Sequence, residues 1–216
     1  FDTVRCYPQV GVNAPVKVGD YVVSSNITRI INNGIGYITG FEGRVAWCST
    51  KKLVRFIESE NPDIIHLHNL HSSFINLSIL FNYLSRTNKK VVWTLHDCWS
   101  FTGRCPYFQL AKCDRWRTGC FSCPYPRFIY PQSLFDRTNQ QWKMKKRLFT
   151  SLDNLVLITP SKWLADLVSQ SYMCKYDVKV IHNGINLSEF KPIRSDFRIR
   201  HNIPDNCRIL LGVSFG

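Results

Sequence analysis

No apolar run in this 216-residue chain approaches the ~20 residues that a bilayer-spanning helix needs. No internal repeat and no low-complexity segment is present, which excludes solenoids and compositionally disordered tails. Phe1 opens no positively charged segment with an apolar core, so these residues carry no expected signal peptide. Acidic residues are scarce, 15 against 28 Lys and Arg, for a net charge of +13. What is present is the making of a globular domain: 44% hydrophobic and 13% aromatic residues, enough to bury a substantial core.

The positive charge is concentrated. Residues 101–216 hold eighteen Lys and Arg against eight Asp and Glu, and residues 104–147 hold ten against two. Such a surface attracts phosphates, nucleic acid or anionic lipid headgroups. The run Trp142 to Arg147 is by itself a solvated basic helix face. Nine cysteines in a chain with its own core point to a reducing cytoplasm with free or metal-bound thiols. Cys6, Cys48, Cys174 and Cys207 read as small apolar fillers.

Residues 1–62 are the least patterned. Tyr21 to Ile31 carries helical periodicity. Asn32 to Gly43, with four glycines, reads as a flexible loop and not as a G-x-G-x-x-G fingerprint. Ser49 or Thr50 caps a helix to about Glu58, ended by Asn61-Pro62. Alternation then becomes regular. Strands are expected at Asp63–His68, Lys89–Leu95, Asn154–Ile158, Val178–Ile181 and Arg208–Val213. Helices are expected from Ser72 or Ser73 (with Phe74, Leu77, Leu80, Phe81 and Leu84), within Pro131–Leu152 (with Leu134 and Phe135), and after a Ser161 cap (with Trp163 and Leu164 inward). This order predicts an α/β fold, a doubly wound parallel sheet of Rossmann-like type. Residues 1–206 form the expected domain, with a basic cysteine-rich insert over 98–130, and residues 207–216 begin another.

Candidate chemistry gathers at the carboxyl ends of the strands, where open α/β sheets bind ligands. Alternation puts His66 and His68 on one face, with Asn69 next and His71 in the following loop. His96 ends its strand and can exchange a proton near neutral pH. Asp97 can fix a ring tautomer or bind a sugar hydroxyl, and Trp99 offers an aromatic face for sugar stacking. Thr159-Pro160-Ser161-Lys162 is a strand-to-helix turn suited either to an anion or to ordinary capping. His182-Asn183-Gly184 would let backbone approach a ligand closely. Cys105, Cys113, Cys120 and Cys123 follow C-x7-C-x6-C-x2-C. They are candidate ligands of a structural zinc, with free thiols and disulfides as the alternatives.

The segments Asn61-Pro62-Asp63-Ile64-Ile65-His66-Leu67-His68, His96-Asp97-Cys98-Trp99, Thr159-Pro160-Ser161 and His182-Asn183-Gly184-Ile185 together resemble the family four glycosyltransferases of GT-B architecture. The nearest look is to the bacterial subgroup that builds capsule, exopolysaccharide or lipopolysaccharide. The resemblance implies the amino-terminal, acceptor-side half of such an enzyme. Such an enzyme transfers a sugar from a nucleotide-sugar donor to a hydroxyl with retention, and needs no cofactor or catalytic metal. It implies that His96 contacts the transferred sugar with Asp97 supporting it. His68, Asn69, Trp99, Ser161, Lys162, Asn183 and Gly184 would line the substrate cleft. The family's donor side carries two glutamates eight positions apart, and the four here, Glu42, Glu58, Glu60 and Glu189, include no such pair. The expectation is therefore an acceptor-side domain that is inactive alone. Its partners would be a glycan or lipid-linked acceptor and an anionic membrane surface on the cytoplasmic side, not nucleic acid. The competing readings are a non-catalytic sugar- or lipid-binding domain and a zinc-containing nucleic-acid module.

Overall fold

The computed structural model describes residues 2–9, 19–124, 127 and 131–212. The chain forms two compact units, Phe1–His182 and Asn183–Gly216. In the first unit, β3 (Ile64–Leu67), β4 (Lys90–Thr94), β5 (Leu155–Thr159) and β6 (Val178–Val180) form one sheet in that order, every pair parallel. The helices α3 (Leu77–Leu84), α4 (Thr138–Phe149) and α5 (Lys162–Ser169) lie between successive strands. This is the α/β fold that the alternation predicts. A separate parallel pair, β1 (Cys6–Tyr7) and β2 (Tyr21–Val22), precedes it, with Tyr21 stacked on Phe56 of α2 (Trp47–Glu60) at 4.3 Å.

The sheet is held by apolar burial on the order of 25 cal/mol per Å². Leu67, Val91, Trp93 and Leu157 of the strands meet Leu80, Phe81 and Leu84 of α3. Phe149, at the end of α4, completes an aromatic cluster with Phe81 at 4.6 Å and Trp93 at 4.8 Å. Parallel strands place all their carboxyl ends on one rim. His68, His96, Ser161 and His182 therefore share an edge by topology alone.

Several local expectations are corrected. The stretch Asn32–Gly43 is not a loop: α1 runs Asn26–Thr39, capped by the Ser25 hydroxyl and closed by Gly40 in the left-handed region. Helix α2 has no side-chain cap. Ser49 and Thr50 instead donate back to the Ala46 carbonyl, and Thr50 Oγ1 accepts from the Asn76 amide at 2.8 Å. Helix α3 starts at Leu77 behind an Asn76 cap, because Ser72 and Ser73 sit at φ 76° and 58° and turn the chain. Leu134 and Phe135 precede α4 and are exposed, as is Trp163. Residues 208–212 form no strand, and Leu210 and Leu211 are exposed. A strand needs a ladder partner, and none is present there among the described residues; Val213 lies outside them.

Among its described residues, the connection from Leu95 to Arg137 holds only two 3₁₀ turns, Phe108–Ala111 and Arg115–Arg117. Its aromatics form a small core of their own. Trp116 lies 5.2 Å from Phe101 and 5.0 Å from Phe108, and its carbonyl accepts from Trp142 Nε1 of α4 at 2.8 Å. The Phe101, Phe108 and Trp116 rings are all buried.

Candidate functional site

The rim is built from the ends of β3 and β4. Register pairs His66 with Val92 and Leu67 with Trp93, so the chain leaves both strands at the same level. His66 and His68 project from one face, their rings 4.3 Å apart. His66 Nε2 meets Thr94 Oγ1 at 2.8 Å, and His68 Nδ1 meets His96 Nε2 at 3.0 Å. The ring pair can hold one proton between donor and acceptor, whichever tautomer carries it. Burial, reinforced by neighbouring imidazoles, lowers His66 and His68 from the ordinary histidine value, so these two rings resist taking up charge. The Trp93 indole donates to the His68 carbonyl at 2.9 Å and fixes the strand end.

Asp97 does not serve His96. One carboxylate oxygen lies 3.3 Å from His71 Nε2, and the other accepts the Trp99 amide at 2.8 Å. The sequence neighbour of His96 thus orients a different imidazole, because the turn after β4 swings its side chain toward the loop after β3.

Trp99 is also corrected. It is only 2% exposed. The Lys145 ammonium lies 3.7 Å from its ring centroid, and His71 meets the ring edge-on. No ring face is free for a sugar. Its indole N–H donates to Glu42 Oε2 at 2.9 Å, and the second Glu42 oxygen accepts the Ser72 amide. Lys145 is 1% exposed and donates to the Trp99 carbonyl at 2.7 Å. Burial pulls its pKa down to about 8. It is therefore no part of a solvated basic face.

Glu42 and Lys145 are the residues that sequence reasoning missed. The helical spacing of Trp142, Lys145 and Phe149 was a usable signal that position 145 faces inward. Glu42, a lone acid after a glycine-rich helix, gave none. A cavity of about 400 Å³ opens beside Glu42, lined among others by Asn33, Tyr37, Arg104 and Gln141.

The Ser161 hydroxyl caps α5, accepting from the Leu164 amide at 3.3 Å, and Lys162 beside it is exposed. His182 Nδ1 meets the Pro160 carbonyl at 2.9 Å. Asn183 and Gly184 belong to the second unit, where both are exposed.

The structure holds no disulfide between any two of the described cysteines. Cys6, Cys48, Cys174 and Cys207 are exposed, not core fillers; the buried one is Cys98. Cys105, Cys113, Cys120 and Cys123 are half-buried and line one small cavity of about 30 Å³. Among the described residues no group of three or more His, Cys, Asp or Glu side chains is arranged to hold a metal ion. Nor is any helix among them long and apolar enough to cross a membrane.

A polar rim of histidines at the carboxyl edge of a parallel sheet fits many functions. Comparison with known proteins decides the family. Residues 29–189 match Glycosyltransferase Family 4. The chain belongs to that family. It is also 35% identical over 149 residues to WcaC of Escherichia coli (strain K12), whose name assigns it to colanic acid biosynthesis as a glycosyl transferase. That match covers 62% of this chain and 35% of the relative, so this family 4 chain spans about a third of the length of the protein it resembles. The family match contains the whole histidine rim, Glu42, the cysteine-bearing insert and the Ser161 turn.

Proposed function

We propose that this chain is the acceptor-side part of a retaining glycosyltransferase of surface-polysaccharide biosynthesis. In the reaction, the bond between the anomeric carbon and the donor's phosphate oxygen breaks. A bond from the anomeric carbon to the acceptor oxygen forms, the nucleotide departs with the electrons of the broken bond, and the hydroxyl proton passes to its freed phosphate oxygen. A hexosyl group is the moiety transferred. His96 contacts that sugar, and His68 orients His96. Asp97 acts through His71 to set the loop after β3. Asn69 lies beside the acceptor, and the polar cavity next to Glu42 suits the hydroxyls of a glycan chain. Ser161 and Lys162 offer an amide edge and a cation to an anionic group. Asn183 and Gly184 lie toward the donor. No cofactor takes part. Lacking the glutamate pair of the family's donor side, residues 1–216 alone do not turn over a nucleotide sugar.

The observation that carries this reading is the 3.0 Å contact between the exposed His96 ring and His68, on the ligand-binding edge of a family 4 chain. The test is transfer by the full-length protein with nucleotide sugars and a lipid-linked acceptor. His96→Ala should lower kcat/KM about 100-fold or more, the range for loss of one polar group aimed at the reacting centre. NMR of the product should show the donor's anomeric configuration. An unimpaired variant or an inverted product sinks the proposal.

The acceptor is lipid-linked and the protein works at the inner face of the plasma membrane. Helix α1 supports this: Ile27, Ile30, Ile31 and Ile38 are exposed on it, with Trp47 exposed at the start of α2. Arg44 and Lys51 lie over the Phe41 and Trp47 rings. Apolar side chains flanked by cations suit an anionic bilayer surface. Equal binding to anionic and neutral vesicles would count against it.

A further inference from the structure

We propose that Cys105, Cys113, Cys120 and Cys123 together bind one zinc ion in a closed thiolate shell that cross-links the insert between β4 and α4. The inference is independent of the transferase reading.

Four observations carry it. First, the four cysteines, set in the loops around the two 3₁₀ turns, all line the same small cavity. Its volume, about 30 Å³, admits one atom-sized guest. Second, the chain around the Cys120-x2-Cys123 pair is bent as a tight knuckle: Cys120 and Ser122 have φ 46° and 48°, and Gly119 has φ 155°. The Gly103 amide donates to Cys120 Sγ at 3.0 Å. An amide aimed at sulfur is the outer-sphere contact that steadies a thiolate ligand.

Third, countercharge is in place. Zinc with four thiolates carries two net negative charges. The buried Arg104 guanidinium interacts electrostatically with Cys105 and Cys123 as well as with Glu42 and Asp136, and the buried Lys145 ammonium with Cys105 and Cys120 as well as with Glu42 and Asp97. Two buried cations beside the sulfurs offset part of the charge of a thiolate shell. Fourth, the connection from Leu95 to Arg137 has almost no regular structure among its described residues, and its length is far beyond the ~15 residues typical of a plain loop. It begins at His96 and Asp97, so whatever fixes the insert also fixes the rim.

The thiols are not yet at ligand spacing. Binding the ion requires the four cysteines that line the cavity to draw together. On binding, zinc displaces the thiol protons into solvent. Four protein ligands leave no open position, so the ion is structural and not catalytic.

The test is metal analysis of the full-length protein purified without chelator from zinc-supplemented cells. About one zinc per chain is expected. Cobalt exchange should give the intense visible bands of a tetrahedral thiolate site. Cys120→Ser and Cys123→Ser should lose the ion. Cys113→His should keep it while moving the cobalt bands to shorter wavelength, an effect that mere misfolding would not produce. Cys48→Ser and Cys174→Ser, outside the insert, should leave stoichiometry unchanged. The proposal is overturned by metal-free folded protein that ignores added zinc, by loss of hydrogens in the intact mass that reveals disulfides, or by iron with sulfide in place of zinc.

Discussion

Two glycines nine residues apart should respond to alanine with opposite signs. Gly43 sits at φ 66°, between α1 and α2. A Cβ there would lie far inside contact with the Ile75 carbonyl oxygen and 3.2 Å from its carbon. The left-handed conformation alone costs an L-residue about 1–2 kcal/mol. The clash is with backbone next to a buried side chain, so it cannot be relieved by a rotamer change. Retreat of that backbone drags Asn76, whose side chain caps α3 and donates to the Arg44 carbonyl at 2.8 Å. A weakened cap adds about 1 kcal/mol, so Gly43→Ala should lose roughly 3 kcal/mol in all. Gly34, inside α1, has ordinary φ and nothing within 4 Å of a built Cβ. Removing a helix-interior glycine should gain about 1 kcal/mol. Urea unfolding followed by tryptophan fluorescence reads both. A Gly43→Ala loss below about 0.5 kcal/mol, or a destabilised Gly34→Ala, would refute the assigned helix and the contact that ends it.

Trp99→Phe keeps an aromatic ring over Lys145 but removes the donor to Glu42 Oε2; a hydrogen bond to a charged group is worth about 1.5–3 kcal/mol, readable by the same unfolding assay, and an unchanged midpoint would argue against that contact. His68 should make the fold acid-sensitive. Burial and the two neighbouring imidazoles depress its folded pKa, so its contribution is complete above the ordinary histidine value and is lost as pH falls from there toward the depressed one. Thermal unfolding between pH 7 and 5 should fall less steeply in His68→Gln than in wild type, and identical slopes would show that the ring pair does not exist in solution.

The sheet was legible because its signals are local and redundant. The strand ending at His68 has period-two burial, and the next reads as a nearly continuous apolar run into His96; turn residues bound both. Ser161 was legible as a cap for the same reason, since the hydroxyl acts three residues away. Helix α1 was not. Four glycines between Gly34 and Gly43 look like a loop, yet only Gly40 and Gly43 need positive φ. Gly34 and Gly36 are ordinary helical residues, and the side-chain cap at Ser25 starts the helix in spite of them. Read as a stop signal, Gly40 alone would have recovered its end.

The rim shows why a motif can identify a family and still mislead about roles. His96-Asp97 is contiguous in sequence, which suggests that the carboxylate serves its neighbour's ring. At the end of a strand, however, adjacent side chains point to opposite sides, and the partner of each is set by what the next strand brings up. His96 faces His68 across the β3–β4 step. Asp97 faces away from it, toward His71. The same geometry moves Trp99 inward onto Lys145 of α4 and Glu42 of the turn after α1, which lie far away in sequence and carry no rim signature. A buried ammonium under an indole, a carboxylate on its N–H, and an aspartate on its amide together hold Trp99 on three sides. This arrangement makes Trp99 the pivot that keeps the turn carrying His96 in place, a role that no spacing rule within the motif could have predicted.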